Sequence, residues 1–402
     1  MKAIIVGGGI AGPVAALALR KAGIEAAVYE AHGQTADGVG GILSLAPNGQ
    51  NALQTIDAVE GVRRIGQAIP DMVIADGSGR RFGTFTALPG LPPSLVLWRS
   101  DLYRALWDHA IANGIRMEHG KRLVEVVETP SAITAVFADG TRESGDILIG
   151  ADGIRSTVRS LIDPNAPSPQ YTGLLGFGGH AIGSGVSPHS DAMYFVFGKQ
   201  AFLGYWAVPS GGIAWFSNLP HPEPMTMSRA REVPREQWWQ ILREAHAEDI
   251  PGRVLVEHTG ADRLHVMGAG EILPNVPSWH RGRMVLVGDS AHAPSSSSGQ
   301  GASLAVESAI ELARCLRDIP DISGAFAAYE RMRRPRVEKV AADAAKTNRN
   351  KAAGPLAKAL MSLLMPIAMK TFLRPEKTIG AVHRYRIDWN QAVTGQLAGS
   401  SP

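Results

Sequence analysis

The sequence contains a single cysteine, Cys315, among 402 residues. One cysteine excludes an intramolecular disulfide framework and any zinc site built from several cysteines. Long apolar runs are also missing, because Lys358, Pro366 and Lys370 interrupt the nearest candidate, residues 356–373. A membrane-spanning helix needs about 20 predominantly apolar residues, and the glycine-broken apolar N-terminus is atypical of a signal peptide. We therefore expect a cytoplasmic protein with no stable membrane insertion.

The chain also has little net charge, because its basic and acidic residues nearly balance. The chain has 40 Lys and Arg against 37 Asp and Glu, which gives a net charge of +3. That small excess favours an anionic cofactor or substrate but is too weak to indicate binding to nucleic acid. Hydrophobic residues make up 45% of the chain and charged residues 19%. This composition is typical of a globular protein, and the length predicts about two or three domains.

The first 30 residues predict a strand, a glycine-rich turn, a helix and a second strand. The turn has the pattern G-x-G-x-x-G, and an acid ends the second strand. In such a unit the first glycine permits the tight turn, the second lets backbone approach a pyrophosphate, and the third lets the helix pack on the strand. The acid can accept hydrogen bonds from ribose hydroxyls. The pattern predicts a dinucleotide site, without distinguishing FAD from NAD, at Gly7, Gly9, Ile10, Ala11, Gly12 and Glu30.

Two more glycine-containing segments follow predicted buried strands. The second segment contains Asp152 and Gly153, and taken alone this pair is also common in ordinary turns. The third contains Asp289 in Val-Gly-Asp-Ser-Ala-His-Ala-Pro, and it continues to a helix start with Gly299, Gly301 and Ala302. An acid at the carboxyl end of a parallel strand is in a favoured ligand position, and a helix start adds free N–H groups and its dipole.

The middle of the chain has a different character. A hairpin is predicted within residues 72–85, and aromatic residues concentrate between Tyr171 and His265. Their alternation with glycine and polar residues predicts a mostly antiparallel sheet, with a helix near residues 235–246. Buried-strand patterning then returns at residues 284–287. We therefore predict an aromatic-rich second domain inserted into the first.

In their order and spacing, the three motifs resemble the class A flavoprotein monooxygenases, the p-hydroxybenzoate hydroxylase type of FAD-dependent aromatic hydroxylase. The resemblance covers roughly the first 340 residues. It implies an α/β protein: a Rossmann-like FAD-binding domain with an inserted, mostly antiparallel β-sheet substrate domain and a helical C-terminal segment. The corresponding boundaries are 1–71, 90–170 and 266–345 for the FAD-binding domain, 72–89 and 171–265 for the substrate domain, and 346–402 for the C-terminal segment.

The resemblance also implies roles for individual residues. The first motif would bind the ADP part of FAD, Asp152 and Gly153 would contact FAD and a passing nicotinamide cofactor, and Asp289 would contact the ribityl chain. Further cofactor-binding positions implied by the family pattern are Arg99 near the pyrophosphate, Gly40, Gly41 and Ile42 beside the isoalloxazine, and Leu123 near the adenine. Two positions depart from the pattern: Ser296 replaces a usual proline, and Glu307 replaces a usual aspartate.

The implied activity is that of an FAD-dependent monooxygenase. NADPH or NADH would bind transiently and reduce FAD, and O2 would form a C4a-hydroperoxyflavin that transfers one oxygen atom to an aromatic or polycyclic substrate. Hydroxylation is the expected outcome, and Baeyer–Villiger insertion or antibiotic inactivation at the same site is an alternative. An FAD-binding cyclase or scaffold without oxygen chemistry is the alternative from another class. No metal, catalytic side chain or oligomeric state is predicted, and His292 is expected to be structural.

The substrate would lie between the flavin and the aromatic-rich sheet, in an apolar pocket. Because side chains alternate along a strand, only half of the sheet's aromatics can face that pocket, and core packing is the alternative for each. Phe195 and Phe216 are candidates, and the residues selected as substrate-binding are Phe177, Tyr194, Tyr205, Trp206 and Trp215. The helical C-terminal segment is expected to pack at the interface of the two domains, with a lid over the substrate entrance as the alternative.

Overall fold

The computed structural model describes residues 1–34, 41–351 and 375–393. The strands are β1 (Lys2–Val6), β2 (Glu25–Tyr29), β3 (Ile42–Leu45), β4 (Gln67–Ile69), β5 (Asp71–Asp76), β6 (Arg81–Thr86), β7 (Ser94–Trp98), β8 (Arg116–Glu118), β9 (Leu123–Glu128), β10 (Ile133–Phe137), β11 (Arg142–Gly145), β12 (Ile147–Gly150), β13 (Gln170–Ala181), β14 (Ala192–Phe197), β15 (Phe202–Ala207), β16 (Ile213–Pro220), β17 (His265–Ile272), β18 (His280–Arg281) and β19 (Met284–Leu286).

The helices are α1 (Ala11–Lys21), α2 (Pro47–Gln54), α3 (Val59–Ile65), α4 (Arg99–Ala112), α5 (Thr157–Ile162), α6 (Met227–Glu232), α7 (Arg235–Ala245), α8 (Ile250–Thr259), α9 (Gly301–Asp318), α10 (Ile322–Lys351), α11 (Pro375–Thr378) and α12 (Gly380–His383). Short 3-10 turns occur at Ala261–Arg263, Gly288–Ser290 and Ser296–Ser298. Within the described ranges, none of the helices combines the length and apolarity needed to cross a membrane. The predicted lid, which falls mainly on residues 352–374, lies outside the described residues.

The first sheet has the order β18-β19-β12-β1-β2-β8. Strands β19, β12, β1, β2 and β8 run parallel, and β18 is an antiparallel edge strand. The centre of this sheet is apolar and buried on both faces, as parallel sheets with helices on either side require. Helix α1 connects β1 to β2 and packs against α9. This half of the molecule is the Rossmann-like domain that the motifs predicted.

The second sheet has the order β17-β13-β16-β15-β14-β5-β6 and is antiparallel except for the β14–β5 pair. The predicted hairpin forms its β5–β6 edge. One face packs against α7 and α8, in a cluster that includes Trp238, Leu242 and Leu255. The other face meets Ile69 and Val96 of the small sheet β3-β7-β4. The fold class predicted from the sequence is therefore confirmed: an α/β cofactor domain with an inserted, mostly antiparallel sheet.

Candidate cofactor and substrate site

The three glycine-containing loops leave the same edge of the first sheet. Val6 pairs with Gly150, and Gly150 pairs with Leu286, so the carboxyl ends of β1, β12 and β19 lie side by side. Side chains then join the second loop to the third. The Arg159 guanidinium donates to the Ser290 carbonyl at 3.1 Å, and the Ser290 hydroxyl donates to the Gly150 carbonyl at 2.6 Å. Segments separated by more than 130 residues thus form one surface.

The first loop has the steric properties that its glycine pattern predicts. Gly7 has φ +104°, and a Cβ there would lie 2.4 Å from the Ala151 carbonyl oxygen of the second loop. A Cβ on Gly12 would lie 2.0 Å from the Gly7 carbonyl oxygen. By contrast, nothing lies within 4 Å of the Cβ position of Gly9. Gly7 and Gly12 are therefore required by packing, whereas Gly9 faces open space, as a close approach of ligand to backbone requires.

Glu30 closes the first loop from the end of β2. Its carboxylate accepts from the Gly8 backbone N–H at 2.7 Å and from the His32 backbone N–H at 2.9 Å. A carboxylate offers about four acceptor positions, so these bonds leave capacity for ribose hydroxyls. Leu123 is buried at the start of β9, next to the segment that pairs with Glu30 through the Lys121 backbone. Ile10 and Ala11 form the start of α1, where free N–H groups are available.

The second loop is held by its own aspartate. Asp152 accepts from the Ser156 hydroxyl and from the Val158 backbone N–H, the latter at 3.1 Å, and so caps the start of α5. Burial raises the pKa of Asp152, and the hydrogen bonds from Ser156 and Val158 oppose that rise. The adjacent Gly153 has φ +78° with nothing within 4 Å of its Cβ position. Asp152 thus shapes the loop, and Gly153 presents its backbone to open space.

The third loop carries the acid Asp289 at its start. Asp289 is half-buried, and no described residue donates a hydrogen bond to its carboxylate. Burial raises its pKa, and the positive charge of Arg99 opposes that rise. Arg99 starts α4, and its backbone N–H donates to the Gly41 carbonyl at 3.0 Å. Arg99 and Gly41 therefore lie on the Asp289 side of the site; Gly40 lies outside the described residues.

The end of the third loop exposes two glycines, and hydrogen bonds from Ser295 hold its backbone in place. Gly299 has φ +61°, and nothing lies within 4 Å of the Cβ positions of Gly299 and Gly301, which precede Ala302 in the first turn of α9. The Ser295 hydroxyl accepts from the Ser297 backbone N–H at 3.1 Å and donates to Asn348 Oδ1 at 2.8 Å. These bonds fix the turn at Ser296–Ser298, where the family pattern has a proline.

The other departure from the family pattern, Glu307 in place of an aspartate, forms ion pairs with two arginines. Glu307 is fully buried and accepts from Arg333 at 2.7 Å, from Arg336 at 2.8 Å and from Asn48 Nδ2 at 2.7 Å. Despite burial, the two arginines hold its pKa below the ordinary value. Asn48 Nδ2 also donates to Gln300 Oε1 at 3.0 Å, while Asn48 Oδ1 is buried without a partner among the described residues.

The surroundings of His292 fit the structural role expected from the sequence. Its ring is buried, Nε2 lies 2.8 Å from the Ser308 hydroxyl, and the ring packs against Trp279 with centroids 5.4 Å apart. Burial, together with the positive charge of Arg333, lowers its pKa to about 3. A ring that stays neutral and enclosed in this way is unsuited to accept a substrate proton near neutral pH.

The selection of substrate-binding aromatics needs correction. Phe177, Tyr194, Tyr205 and Trp215 lie on the face of the second sheet that packs against α7 and α8. The Trp215 indole N–H donates to the Thr259 hydroxyl at 2.8 Å, and the Phe177 ring lies 5.1 Å from the Trp238 ring. These four residues are core residues, because strand alternation places them on the face opposite the loops. Trp206 lies on the other face, packed with Ile69, Val96 and Met193.

The face directed toward the cofactor domain is aromatic nonetheless. Register pairs Phe195 with Gly204, Gly204 with Phe216, and Phe202 with Asn218, so these side chains alternate with the core residues. Phe195 and Phe216 are half-buried, with ring centroids 6.2 Å apart. We call Phe195, Phe202, Trp206, Phe216 and Asn218 the aromatic face. Phe202 and Asn218 were not among the residues selected from the sequence, because the strand register that places them on this face is visible only in the structure.

The segment expected beside the flavin ring adjoins this second sheet. A Cβ on Gly41 would lie 2.1 Å from Met267 Cε of β17. Ile42 packs with the cluster that contains Trp206 and Met193. The glycine segment therefore joins the cofactor loops to the substrate sheet, and the site spans both domains.

The loops have the chemical groups that binding of FAD requires. Nothing lies within 4 Å of the Cβ positions of Gly9, Gly153, Gly299 and Gly301, and we call these open backbone positions the cradle. The loops also offer helix starts and the Asp289 carboxylate, to which no described residue donates a hydrogen bond. Helix starts suit a pyrophosphate, and carboxylates suit sugar hydroxyls.

Comparison with known proteins agrees with this geometry. A family model described as FAD binding domain matches residues 1–344. The FAD-dependent urate hydroxylase of Mycolicibacterium vanbaalenii is 31% identical over 353 residues, which cover 84% of this chain and 85% of the relative. The aurachin C monooxygenase/isomerase of Stigmatella aurantiaca is 29% identical over 338 residues, covering 82% and 84%.

A solved structure extends the similarity to the whole fold. A variant of Klebsiella pneumoniae HpxO complexed with FAD matches with a TM-score of 0.82 at 25% identity, covering 95% of this chain and 97% of that one. The motifs, the fold and the family match lead to one assignment. The chain belongs to the FAD-binding-domain family and is an FAD-dependent monooxygenase of the aromatic-hydroxylase type.

Proposed function

We propose that the chain uses NADPH or NADH and O2 to hydroxylate a small aromatic or polycyclic substrate. The observation that carries this proposal is the position of the aromatic face, which packs against Ile42 in the segment expected beside the flavin ring. Rings of the substrate can stack or pack edge-on against Phe195 and Phe216. Relatives named for urate and for aurachin C support a small-molecule substrate.

The chain's residues would divide the work between holding the cofactor and enclosing the substrate. FAD, when bound, supplies the oxygen chemistry. The N–H groups of the first loop and α1 would bind the pyrophosphate, Glu30 the ribose, and Asp289 and the start of α9 the middle of the cofactor. The apolar side chains of the aromatic face exclude water, which favours oxygen transfer to the substrate over peroxide release.

The proposed electron donor, NADPH or NADH, would have no binding domain of its own in this chain. The sequence has no second G-x-G-x-x-G, so a nicotinamide cofactor would bind transiently. Arg159 and Arg155 both lie near the second loop, where an arginine could contact the 2′-phosphate of NADPH. Arg159 is buried and donates to the Ser290 and Ile154 carbonyls. Arg155 is exposed and forms an ion pair with Glu271 at 2.7 Å. Of these two arginines, only Arg155 is accessible to a nicotinamide cofactor.

A single experiment tests the proposal. Purified FAD-loaded protein is mixed anaerobically with NADPH or NADH, and flavin bleaching is followed by stopped flow with and without a panel of phenols and polyketides. The proposal expects reduction by at least one donor, faster with a substrate. In air, product should form with less hydrogen peroxide when that substrate is present. An FAD-loaded protein that neither donor reduces, with any compound of the panel, would contradict it.

A further inference from the structure

Lys351 is a buried cation on the aromatic face. It is the last residue of α10, and its side chain is only 5% exposed. The ammonium donates to Asn218 Oδ1 at 2.8 Å and lies 3.9 Å from the centroid of the Phe202 ring. Both contacts belong to the aromatic face, because Phe202 pairs directly with Asn218.

The helix places this lysine beside the third loop as well. Asn348, one turn earlier on α10, accepts from the Ser295 hydroxyl at 2.8 Å. Ser295 precedes the turn that leads to Gly299 and the start of α9. The end of α10 therefore bridges the third loop and the second sheet, and Lys351 lies where those two walls of the site meet.

Among the described residues, the Lys351 ammonium has fewer hydrogen-bond acceptors than it has donors. It has three N–H donors, of which one is used by a neutral amide, while the Phe202 ring adds a cation–π contact. No carboxylate of the described residues pairs with it, and burial lowers its pKa to about 7. A buried lysine with no anionic partner among the described residues loses its proton more readily than an exposed one. A carboxylate supplied from outside the chain would hold the side chain in its charged form, so the position is suited to such an anion.

We propose that Lys351, positioned by Asn218, binds a carboxylate on the aromatic substrate and so determines specificity for acidic aromatics. The ring of such a substrate would pack on Phe195 and Phe216 while its carboxylate replaces or shares the Asn218 contact. This inference rests on the proposed function, since it specifies a substrate class for the same site.

The test compares matched acids and amides on the FAD-loaded protein. The probes are 4-hydroxybenzoate against 4-hydroxybenzamide, and 6-hydroxy-2-naphthoate against its carboxamide, with affinities measured by isothermal titration calorimetry. Wild type should prefer the acid of at least one pair by roughly 10- to 100-fold, the equilibrium equivalent of a hydrogen bond to a charged group. Lys351→Met should abolish that preference, and Lys351→Arg should keep most of it.

Controls separate a binding role from a structural one. Lys346→Met removes a solvent-exposed lysine of the same helix and should keep the wild-type preference. Lys351→Gln preserves a hydrogen bond to Asn218 without the charge, so its loss of preference would show that charge is responsible even if Lys351→Met folds poorly. Equal affinity of wild type for acid and amide in both pairs, or an unchanged preference in both uncharged variants, would overturn the inference. Flavin reduction by NADPH and NADH, measured on the same samples, reports separately on the proposed function.

Discussion

The Arg159 guanidinium donates a 3.1 Å hydrogen bond to the Ser290 carbonyl and thereby ties the second loop to the third. The same side chain donates to the Ile154 carbonyl at 2.8 Å. Because Arg159 is buried, removing it leaves two carbonyl groups without a donor. The Arg159 bond to Ser290 acts together with the Ser290 hydroxyl, which donates to the Gly150 carbonyl, in holding the two loops in a common position.

Arg159→Met should therefore destabilise the protein by about 1–3 kcal/mol, the range for leaving buried polar groups unsatisfied. It should also weaken FAD binding, because the second and third loops lose one of the hydrogen bonds that join them. Urea unfolding and FAD titration of the apoprotein measure the two effects. Arg155→Met, which removes an exposed side chain, is the matched control, and equal behaviour of the two variants would refute the structural role of Arg159.

Gly9 and Gly12 should respond differently to alanine. Gly12→Ala places a Cβ 2.0 Å from the Gly7 carbonyl oxygen, so the first loop must shift, at about 1–3 kcal/mol of stability. Gly9→Ala meets open space and should leave the unfolding free energy of the apoprotein nearly unchanged, while FAD affinity falls because the methyl group occupies the ligand's position. Denaturant unfolding without FAD, combined with FAD titration, checks the contrast. Wild-type FAD affinity in Gly9→Ala would count against the cradle.

Phe216→Ala and Phe177→Ala probe the two faces of the same sheet. Phe177 is fully buried against Trp238, so its truncation should cost about 3–5 kcal/mol of stability. Phe216 is half-buried on the aromatic face, so its truncation should cost less stability and should instead raise KM and peroxide release. Thermal unfolding and steady-state kinetics with a turned-over substrate distinguish them. A Phe216 variant with unchanged kinetics would remove that face from the substrate site.

His292 gives the protein a pH-dependent stability with a definite sign. Its pKa is about 3 in the folded protein and 6.5 ordinarily, so the unfolded state binds more protons between those values. Stability from this group is therefore present above about pH 6.5 and is lost as pH falls toward 3, by at most about 1.4 kcal/mol per pH unit. Urea unfolding at pH 7 and pH 5 should show a smaller pH effect in His292→Gln than in wild type. The exposed His258→Gln should behave as wild type, and an undiminished pH effect in His292→Gln would contradict the assignment.

The cofactor side of the site was predictable because its determinants are local. Gly7 and Gly12 occupy positions that admit no side chain, and the loops after parallel strands must leave one edge of the sheet. The substrate side of the site could not be predicted in the same way, because a one-residue shift of register exchanges the two faces of a strand. β13 contains two such shifts, near Tyr171 and Gly176, so alternation could not assign Phe177 to the core.

Lys351 illustrates a second limit. It reaches the aromatic face from a helix about 130 residues beyond Asn218, and nothing in its sequence neighbourhood resembles a binding motif. Only the packing of α10 between the third loop and the second sheet brings it there. For Asp152 the sequence left two interpretations open, an ordinary turn and a cofactor loop. The two are compatible, because the Asp152 carboxylate caps α5 while the Cβ position of Gly153 is open.

Asp289 tests the central claim, that three distant loops hold one FAD. Its carboxylate lies in the third loop, more than 270 residues from Gly9, and no described residue donates a hydrogen bond to it. The decisive measurement is the dissociation constant of FAD for the apoprotein of wild type, Asp289→Ala and the exposed control Asp262→Ala. We expect weaker FAD binding in Asp289→Ala alone, by about 1–3 kcal/mol. Equal FAD affinity in all three proteins would contradict it.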